Sequence, residues 1–299
     1  MNYHLNYRKR KEHPLMTKYF QQTLKSDSDA SEYIFISDIH GNLETLSLID
    51  QALADHPEAQ LVTGGDYVDG RDHVKDVLEY LMKKKEQGAI IIKGNHEQML
   101  LNFANHEEHQ DGIWFYNGGK ETLKQLFGKV ASPEEIQNSK YYEFLSSLPM
   151  MYETPNYIFV HAGVRSDEHY DDPSTYAHVL DVRHHHYTYD FYRIWARQNY
   201  WYSDQEQKIF AHNQTGKTIV TGHTPTARIS GQYDNGKTIN SSALNPVKEI
   251  KYDNEPGRIF TDGGSHSDPK LYPHNDGNVV VLDQAGKIKQ VYNYENTLK

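Results

Sequence analysis

Five short islands in this chain carry side chains able to do chemistry: Asp38-Ile39-His40-Gly41-Asn42, Gly65-Asp66-Tyr67-Val68-Asp69, Gly94-Asn95-His96-Glu97, His161-Ala162-Gly163 and Gly222-His223-Thr224. Each sets a hard oxygen or an imidazole beside a glycine. Most follow β-branched residues, so the ligands belong on loops at strand ends. Asp38, His40, Asp66, Asn95, His161 and His223 form a mixed oxygen and nitrogen set that suits Mn²⁺, Fe or Zn²⁺ better than Ca²⁺ or a thiolate site. Two divalent metals can be held by such a set, and paired metals most often work on phosphate esters.

The elements that must position these islands are partly legible. Tyr33 to Ser37 reads as a strand, Asn42 as a helix cap, and Leu43, Leu46, Ile49 and Leu53 as one apolar helical face. The unit recurs around Asp66, with a helix through Val74, Val77, Leu78 and Leu81, and again around Asn95, with Met99, Leu100 and Phe103. Spacings of 28 residues (38 to 66) and 29 residues (66 to 95) suit successive βα units with right-handed crossovers. The ligands then gather outside the carboxyl ends of the strands. After a helical insertion around Lys120 to Leu148, strands at Tyr157 to Val160 and Thr218 to Thr221 deliver His161 and His223, and the second half is mostly β. Residues 165–217 lack a clear period and read as a substrate-facing insertion.

The order and content of the islands resemble the calcineurin-like metallophosphoesterases, and within them the phosphoprotein phosphatase family. That signature runs Asp-x-His, Gly-Asp-x-x-Asp-Arg-Gly, Gly-Asn-His-Glu and two separate histidines. All five blocks stand here in that order. Gly118-Gly119-Lys120-Glu121-Thr122 and Trp195-Ala196-Arg197 are similar to the bacterial branch that holds small Ser/Thr protein phosphatases and symmetrical dinucleoside tetraphosphate hydrolases. The resemblance implies an α/β fold of two mixed β-sheets sandwiched between helices (αββα). Residues 1–30 would be a polar N-terminal extension and 31–299 the catalytic domain. It also implies two divalent metal ions, Mn²⁺ first with Fe or Zn²⁺ as alternatives, and hydrolysis of phosphate monoesters. The implied substrate is a phosphoprotein, with a dinucleoside polyphosphate as the alternative and a non-catalytic phosphate-site binding protein as a third reading.

Carried over residue by residue, the resemblance puts Asp38 and His40 on the first metal, Asp66 between the two, and Asn95, His161 and His223 on the second. Water shared by two such cations becomes a nucleophile near neutral pH and attacks phosphorus in line. His96 would face the leaving oxygen as general acid, held by Asp69. Glu97 reads as support for a helix start. Arginine placement departs from the pattern: the family has Asp-Arg-Gly where this chain has Asp69-Gly70-Arg71. Arg71 and Arg197 are therefore both candidate phosphate clamps, since a guanidinium fork suits two phosphate oxygens. His184, His185 and His186 read as a solvated or substrate-loop cluster. Phe191, Tyr192, Trp195, Tyr200, Trp201 and Tyr202 read as core first, with a lid or a platform for an adenine ring as the alternatives, and Asp262-Gly263-Gly264 as architecture.

Composition sets the remaining bounds. A net charge of −10 over 299 residues disfavours a surface built to grip nucleic acid. The sequence has no cysteine, which rules out thiol nucleophiles and disulfides and fits a cytoplasmic setting. No apolar run approaches a membrane span.

Overall fold

The computed structural model describes residues 23–107, 110–172, 189–240, 246–265, 267, 270, 272 and 277–294. Its first half alternates strand and helix: Thr23–Lys25 (β1), Glu32–Ile36 (β2), Leu43–Asp55 (α1), Gln60–Thr63 (β3), Val74–Glu86 (α2), Ile90–Ile91 (β4) and Asn95–Ala104 (α3). Four short helices follow, Gln110–Tyr116 (α4), Gly119–Phe127 (α5), Pro133–Gln137 (α6) and Lys140–Ser146 (α7). The rest is mainly strand: Met151–Glu153 (β5), Tyr157–Val160 (β6), then helices Tyr189–Trp195 (α8) and Gln198–Trp201 (α9). Tyr202–Asp204 (β7), Ile209–Phe210 (β8), Thr218–Thr221 (β9), Gly231–Gln232 (β10), Thr238–Ile239 (β11), Lys248–Ile250 (β12), Arg258–Phe260 (β13), Val279–Asp283 (β14) and Ile288–Tyr292 (β15) complete it.

The strands assort into two large mixed sheets, β15-β14-β2-β3-β4 and β1-β5-β6-β9-β13-β12, and a small one, β11-β10-β8-β7. Strand periodicity explains how the large sheets stack. On β2, Tyr33 and Phe35 join a core shared with Tyr157, Phe159, Val220 and Ile259 of the other sheet, while Ile34 and Ile36 join a core with the helices. Aromatic rings weld the seam, with Tyr33 and Tyr157 centroids 5.0 Å apart and Phe35 and Phe159 5.6 Å apart. The expected arrangement of two mixed sheets between helices is therefore the one observed. The outer face of the second sheet is covered by α8, α9 and part of the small sheet, through Tyr192, Tyr200, Trp201 and Phe210.

Each ligand-bearing unit begins as its residues dictate. Asn42 caps α1 by accepting from the Glu44 N–H at 3.2 Å, and Leu46, Leu48, Ile49 and Ala52 bury its inner stripe. Leu43, expected on that stripe, is exposed. Two stretches differ from their sequence reading. The polar lead-in contributes β1, which pairs in parallel with β5, and the apparently patternless 165–217 stretch holds α8, α9, β7 and β8. Strands of two or three residues are too short to show a period. Among the described residues no helix is long and apolar enough to cross a membrane.

At the edge of the small sheet, His212 stacks on Tyr252 at 3.8 Å and bonds Glu255 through Nδ1 and Asp234 through Nε2. The Glu255 bond raises its pKa against a smaller burial effect, and the Asp234 bond adds to the rise. A raised imidazole pKa stabilises the fold fully below the unfolded value of about 6.5, and the gain disappears as pH rises through the folded value. His212→Ala should lower Tm more at pH 6 than at pH 9, by an amount within the ~1 kcal/mol range of exposed ion pairs. Equal losses at both pH values would contradict the coupling.

Candidate metal centre

Backbone bonds zip the first two islands together before any side chain acts. The N–H groups of Asp38, His40 and Gly41 donate to the carbonyls of Gly65, Asp66 and Tyr67, each at 2.9 Å. The bend lies in the candidate site residues themselves, because Asp38, His40, Asp66, Asp69 and His223 all have positive φ, between 48° and 64°. Asp and His are among the few side chains tolerated there, and such conformations concentrate at functional sites. Gly94 makes a different contribution: a Cβ on it would come within 2.2 Å of Asp66 Oδ1.

The side chains converge on a cavity lined by Asp38, His40, Asp66, Asn95, His96, Arg197, His223, Asp262, Gly264 and Ser265. Two groups of donor atoms, His40 with Asp66 and His96, and Asp66 with His161 and His223, each lie within 4.8 Å of one another. Asp66 spends Oδ1 on the His96 N–H and turns Oδ2 to the His40, His96 and His161 Nε2 atoms at 3.7, 3.9 and 3.3 Å. One oxygen thus faces both groups. His161 Nε2 lies 3.0 Å from Asn95 Oδ1 and 3.2 Å from His223 Nδ1, while His40 Nε2 lies 4.0 Å from Asp38 Oδ1.

This donor set fits divalent cations. Each candidate histidine has its other nitrogen on a backbone carbonyl: His40 Nδ1 on Val68, His161 Nδ1 on Gly64 and His223 Nε2 on Trp195, at 3.1, 2.8 and 3.3 Å. That pattern fixes the ring and leaves the inward nitrogen with a lone pair, as metal-bound imidazoles require. Charge points the same way. Burial first, then a neighbouring carboxylate (Asp66 for Asp38, Asp38 for Asp262), raises the Asp38 carboxyl and raises that of Asp262 well above its usual value, whereas against burial the neighbouring imidazoles, His161 foremost, hold Asp66 well below its own. Cations between these carboxylates would relieve the repulsion.

Beside the candidate metal donors sits a hydrogen-bonded histidine–aspartate pair. His96 Nδ1 bonds Asp69 Oδ2 at 2.7 Å, and although burial opposes it, Asp66 and Asp69 raise the imidazole pKa to about 9. Glu97 does more than start a helix. Its buried carboxylate accepts from the Asp66, Tyr67, Val68 and Gly94 N–H groups at 2.8, 2.7, 3.2 and 2.8 Å.

The arginines separate. Arg197 lines the cavity, with Nη1 donating to His223 O at 2.8 Å and Thr224 Oγ1 at 3.1 Å. Arg71 is not among the residues that line the cavity, and its Nε donates to the carbonyl of Ser265, which does line it, at 3.0 Å. Asp262, read from sequence as architecture, is a buried carboxylate in the cavity wall, with Oδ1 accepting from Gly264 N at 2.6 Å. Its only sequence signal was an acid beside two glycines. Tyr192, Tyr200, Trp201 and Tyr202 are core, as expected. His184, His185 and His186 lie outside the described residues.

The calcineurin-like phosphoesterase family model matches residues 32–268, and the chain belongs to that family of metal-dependent phosphoester hydrolases. No curated protein matches it by sequence. Among solved structures it is similar to a protein serine/threonine phosphatase from Saccharomyces cerevisiae, at 13% identity and TM-score 0.50, over 92% of this chain and 85% of that one. It is also similar to a cold-active protein tyrosine phosphatase from a psychrophilic Shewanella sp., at 17% identity and TM-score 0.50, over 90% and 80%. At such identities the likeness is one of fold.

The Glu97 geometry gives a direct test. Glu97→Ala strands four buried N–H groups at roughly 1–3 kcal/mol each, so it should unfold the protein or lower Tm by well over 10 °C. Glu97→Gln, which keeps an acceptor oxygen, should be milder. Equal Tm values for Glu97→Ala and wild type would refute the structural role.

Proposed function

We propose that this chain hydrolyses phosphate monoesters in the manner of a Ser/Thr protein phosphatase. Asp38, His40, Asp66, Asn95, His161 and His223 would hold two divalent cations, Mn²⁺ first among them. When bound, such cations polarise phosphoryl oxygens and lower the pKa of water at the site. The observation that carries the reading is the His96–Asp69 pair, which opens onto the same cavity as the metal donors and Arg197. With Nδ1 held by Asp69, His96 presents Nε2 to a leaving oxygen and gives it a proton as the ester bond breaks. Arg197 offers the remaining edge of its guanidinium to phosphoryl oxygens. Arg71 would act on the site through the Ser265 carbonyl to which it donates. A cytoplasmic setting belongs to the same reading and is supported by the cysteine-free sequence.

Symmetrical hydrolysis of dinucleoside polyphosphates is the second reading, and it is favoured by one feature of the rim. Tyr272 lies against Gly264, where an added Cβ would meet its ring at 2.8 Å, and the Tyr272 hydroxyl accepts from Arg228 Nε at 3.3 Å. A guanidinium and a ring next to Gly264 of the cavity wall would suit a longer phosphate chain and its nucleoside.

Assays of p-nitrophenyl phosphate, a phosphoserine peptide and diadenosine tetraphosphate side by side should show the peptide turned over with the highest kcat/KM. Preference for the tetraphosphate would replace the first reading with the second. After chelation Mn²⁺ should restore more activity than Ca²⁺, which prefers all-oxygen sites of higher coordination. His96→Asn should lower kcat by about 10²–10⁴ with metal content unchanged, and the loss should shrink for leaving groups of low pKa. An identical loss on aryl and alkyl phosphates would remove His96 as proton donor. Arg197→Ala should cost more in kcat/KM than Arg71→Ala, and the reverse order would move the clamp to Arg71.

A further inference from the structure

The Asp69 carboxylate has more partners than the histidine it serves. It is 1% exposed, and Oδ2 accepts from Trp114 Nε1 at 3.0 Å as well as from His96 Nδ1. Oδ1 accepts from Thr122 Oγ1 at 2.5 Å. The direction of this last bond is settled by counting protons. Thr122 Oγ1 also accepts from the Asp69 N–H at 3.0 Å, so its single hydrogen is committed to Oδ1. An indole N–H can only donate. Both carboxylate oxygens are therefore held by donors that cannot change role, and turning the carboxylate would break three bonds in a buried site.

The local packing is built around these contacts. Trp114 is fully buried, and its ring lies where a Cβ on Gly119 would come within 2.4 Å of Cδ2. Gly118 has φ +105°, and a Cβ there would approach Asp69 Cβ to 3.3 Å. The Gly118-Gly119 pair thus admits the indole and lets α5 start directly above Asp69. Along α5, Thr122 and Gln125 stand on one face and grip the same loop. Gln125 accepts from Val74 N at 2.8 Å and donates to Arg71 O at 3.0 Å. On its other side Trp114 packs on Phe103, at 5.3 Å, from α3, the helix that begins with Asn95 and His96.

We propose that Trp114 and Thr122 are positioning residues for proton donation: they lock Asp69 as an acceptor so that His96 always presents Nε2, and only Nε2, to the leaving group. The proposal rests on the reading of His96 as proton donor. It assigns the Gly-Gly-x-x-Thr segment at 118–122 a purpose beyond packing. A hydrogen-bond acceptor that could swing away would let the imidazole tilt, and misplacement by about 1 Å is enough to cost ~10²-fold in rate.

The test compares Thr122→Val, which keeps shape and deletes both the donor to Oδ1 and the acceptor for the Asp69 N–H, Thr122→Ser, which keeps both, Trp114→Phe, His96→Asn and the His96→Asn/Thr122→Val double variant. Each is assayed with Mn²⁺ on phosphate monoesters graded from p-nitrophenol to alkyl alcohols, with metal content and Tm measured alongside. Thr122→Val and Trp114→Phe should lower kcat on alkyl phosphates by about 10-fold to 10²-fold, and on p-nitrophenyl phosphate several-fold less, with metal content unchanged. Thr122→Ser should restore most of the loss, and Thr122→Val should add nothing in the His96→Asn background. Should Trp114→Phe fold poorly, the two Thr122 variants decide alone. Losses that are the same for every leaving group, or that Thr122→Ser shares with Thr122→Val, would overturn the positioning role while leaving His96 as donor. A His96→Asn loss independent of leaving group would overturn both.

Discussion

Four backbone N–H groups, from Asp66, Tyr67, Val68 and Gly94, converge on the carboxylate of Glu97, and the candidate centre depends on that convergence. It ties the loop that carries Asp66 and Asp69 to the helix start that carries Asn95 and His96. Both loops leave neighbouring parallel strands, which pair Val62 and Thr63 with Ile90 and Ile91. The sheet brings the loops side by side, and Glu97 sets them to within hydrogen-bond tolerance. Five site residues then occupy left-handed backbone conformations, which cost of order 1–3 kcal/mol each and persist only where surrounding bonds over-determine them. The zipper between 38–41 and 65–67, Glu97, the Thr122 hydroxyl on the Asp69 N–H and the Asp38 carboxylate on the His223 N–H supply those bonds.

Electrostatics follows from the same convergence. Asp38, Asp66 and Asp262 are buried together with His40, His96, His161 and His223, at 7% exposure or less. Alone, such a cluster is divided against itself. Burial and Asp66 raise the Asp38 carboxyl, while burial and His161 hold His223 well below the ordinary imidazole value. Structural cores rarely gather this many ionisable groups, because each desolvation is costly unless paired. The arrangement becomes economical when divalent cations share the carboxylates, and the outward imidazole nitrogens are already committed to backbone carbonyls.

Much of this was legible in the sequence, because metal donors announce themselves by type and by the glycines that let loops pack around them. The βα rhythm through 38, 66 and 95 was readable from apolar spacing, and the two-sheet sandwich came with the resemblance. What stayed hidden depends on distant contacts. Trp114 and Thr122 meet Asp69 across 45 and 53 residues, and no local pattern records that meeting. Asp262 looked like part of a glycine-rich turn, because its place in the cavity wall follows from where β13 ends. Glu97 showed its helix position but not its acceptor role, since its partners lie 29–31 residues away as well as nearby. The displaced Arg71 could be noticed but not placed, and its bond to Ser265 spans 194 residues.

On the proposed reading Asp66 would stand between two divalent cations, since its Oδ2 faces His40 and His161 alike. Anomalous diffraction from crystals grown with Mn²⁺ tests it most directly, with data at wavelengths on either side of the manganese edge. Two anomalous peaks are expected roughly 3.5–4 Å apart, the spacing of two-metal hydrolases. One should be flanked by Asp38, His40 and Asp66, the other by Asp66, Asn95, His161 and His223. A single peak at full loading, or two peaks of which only one touches Asp66, would contradict the account.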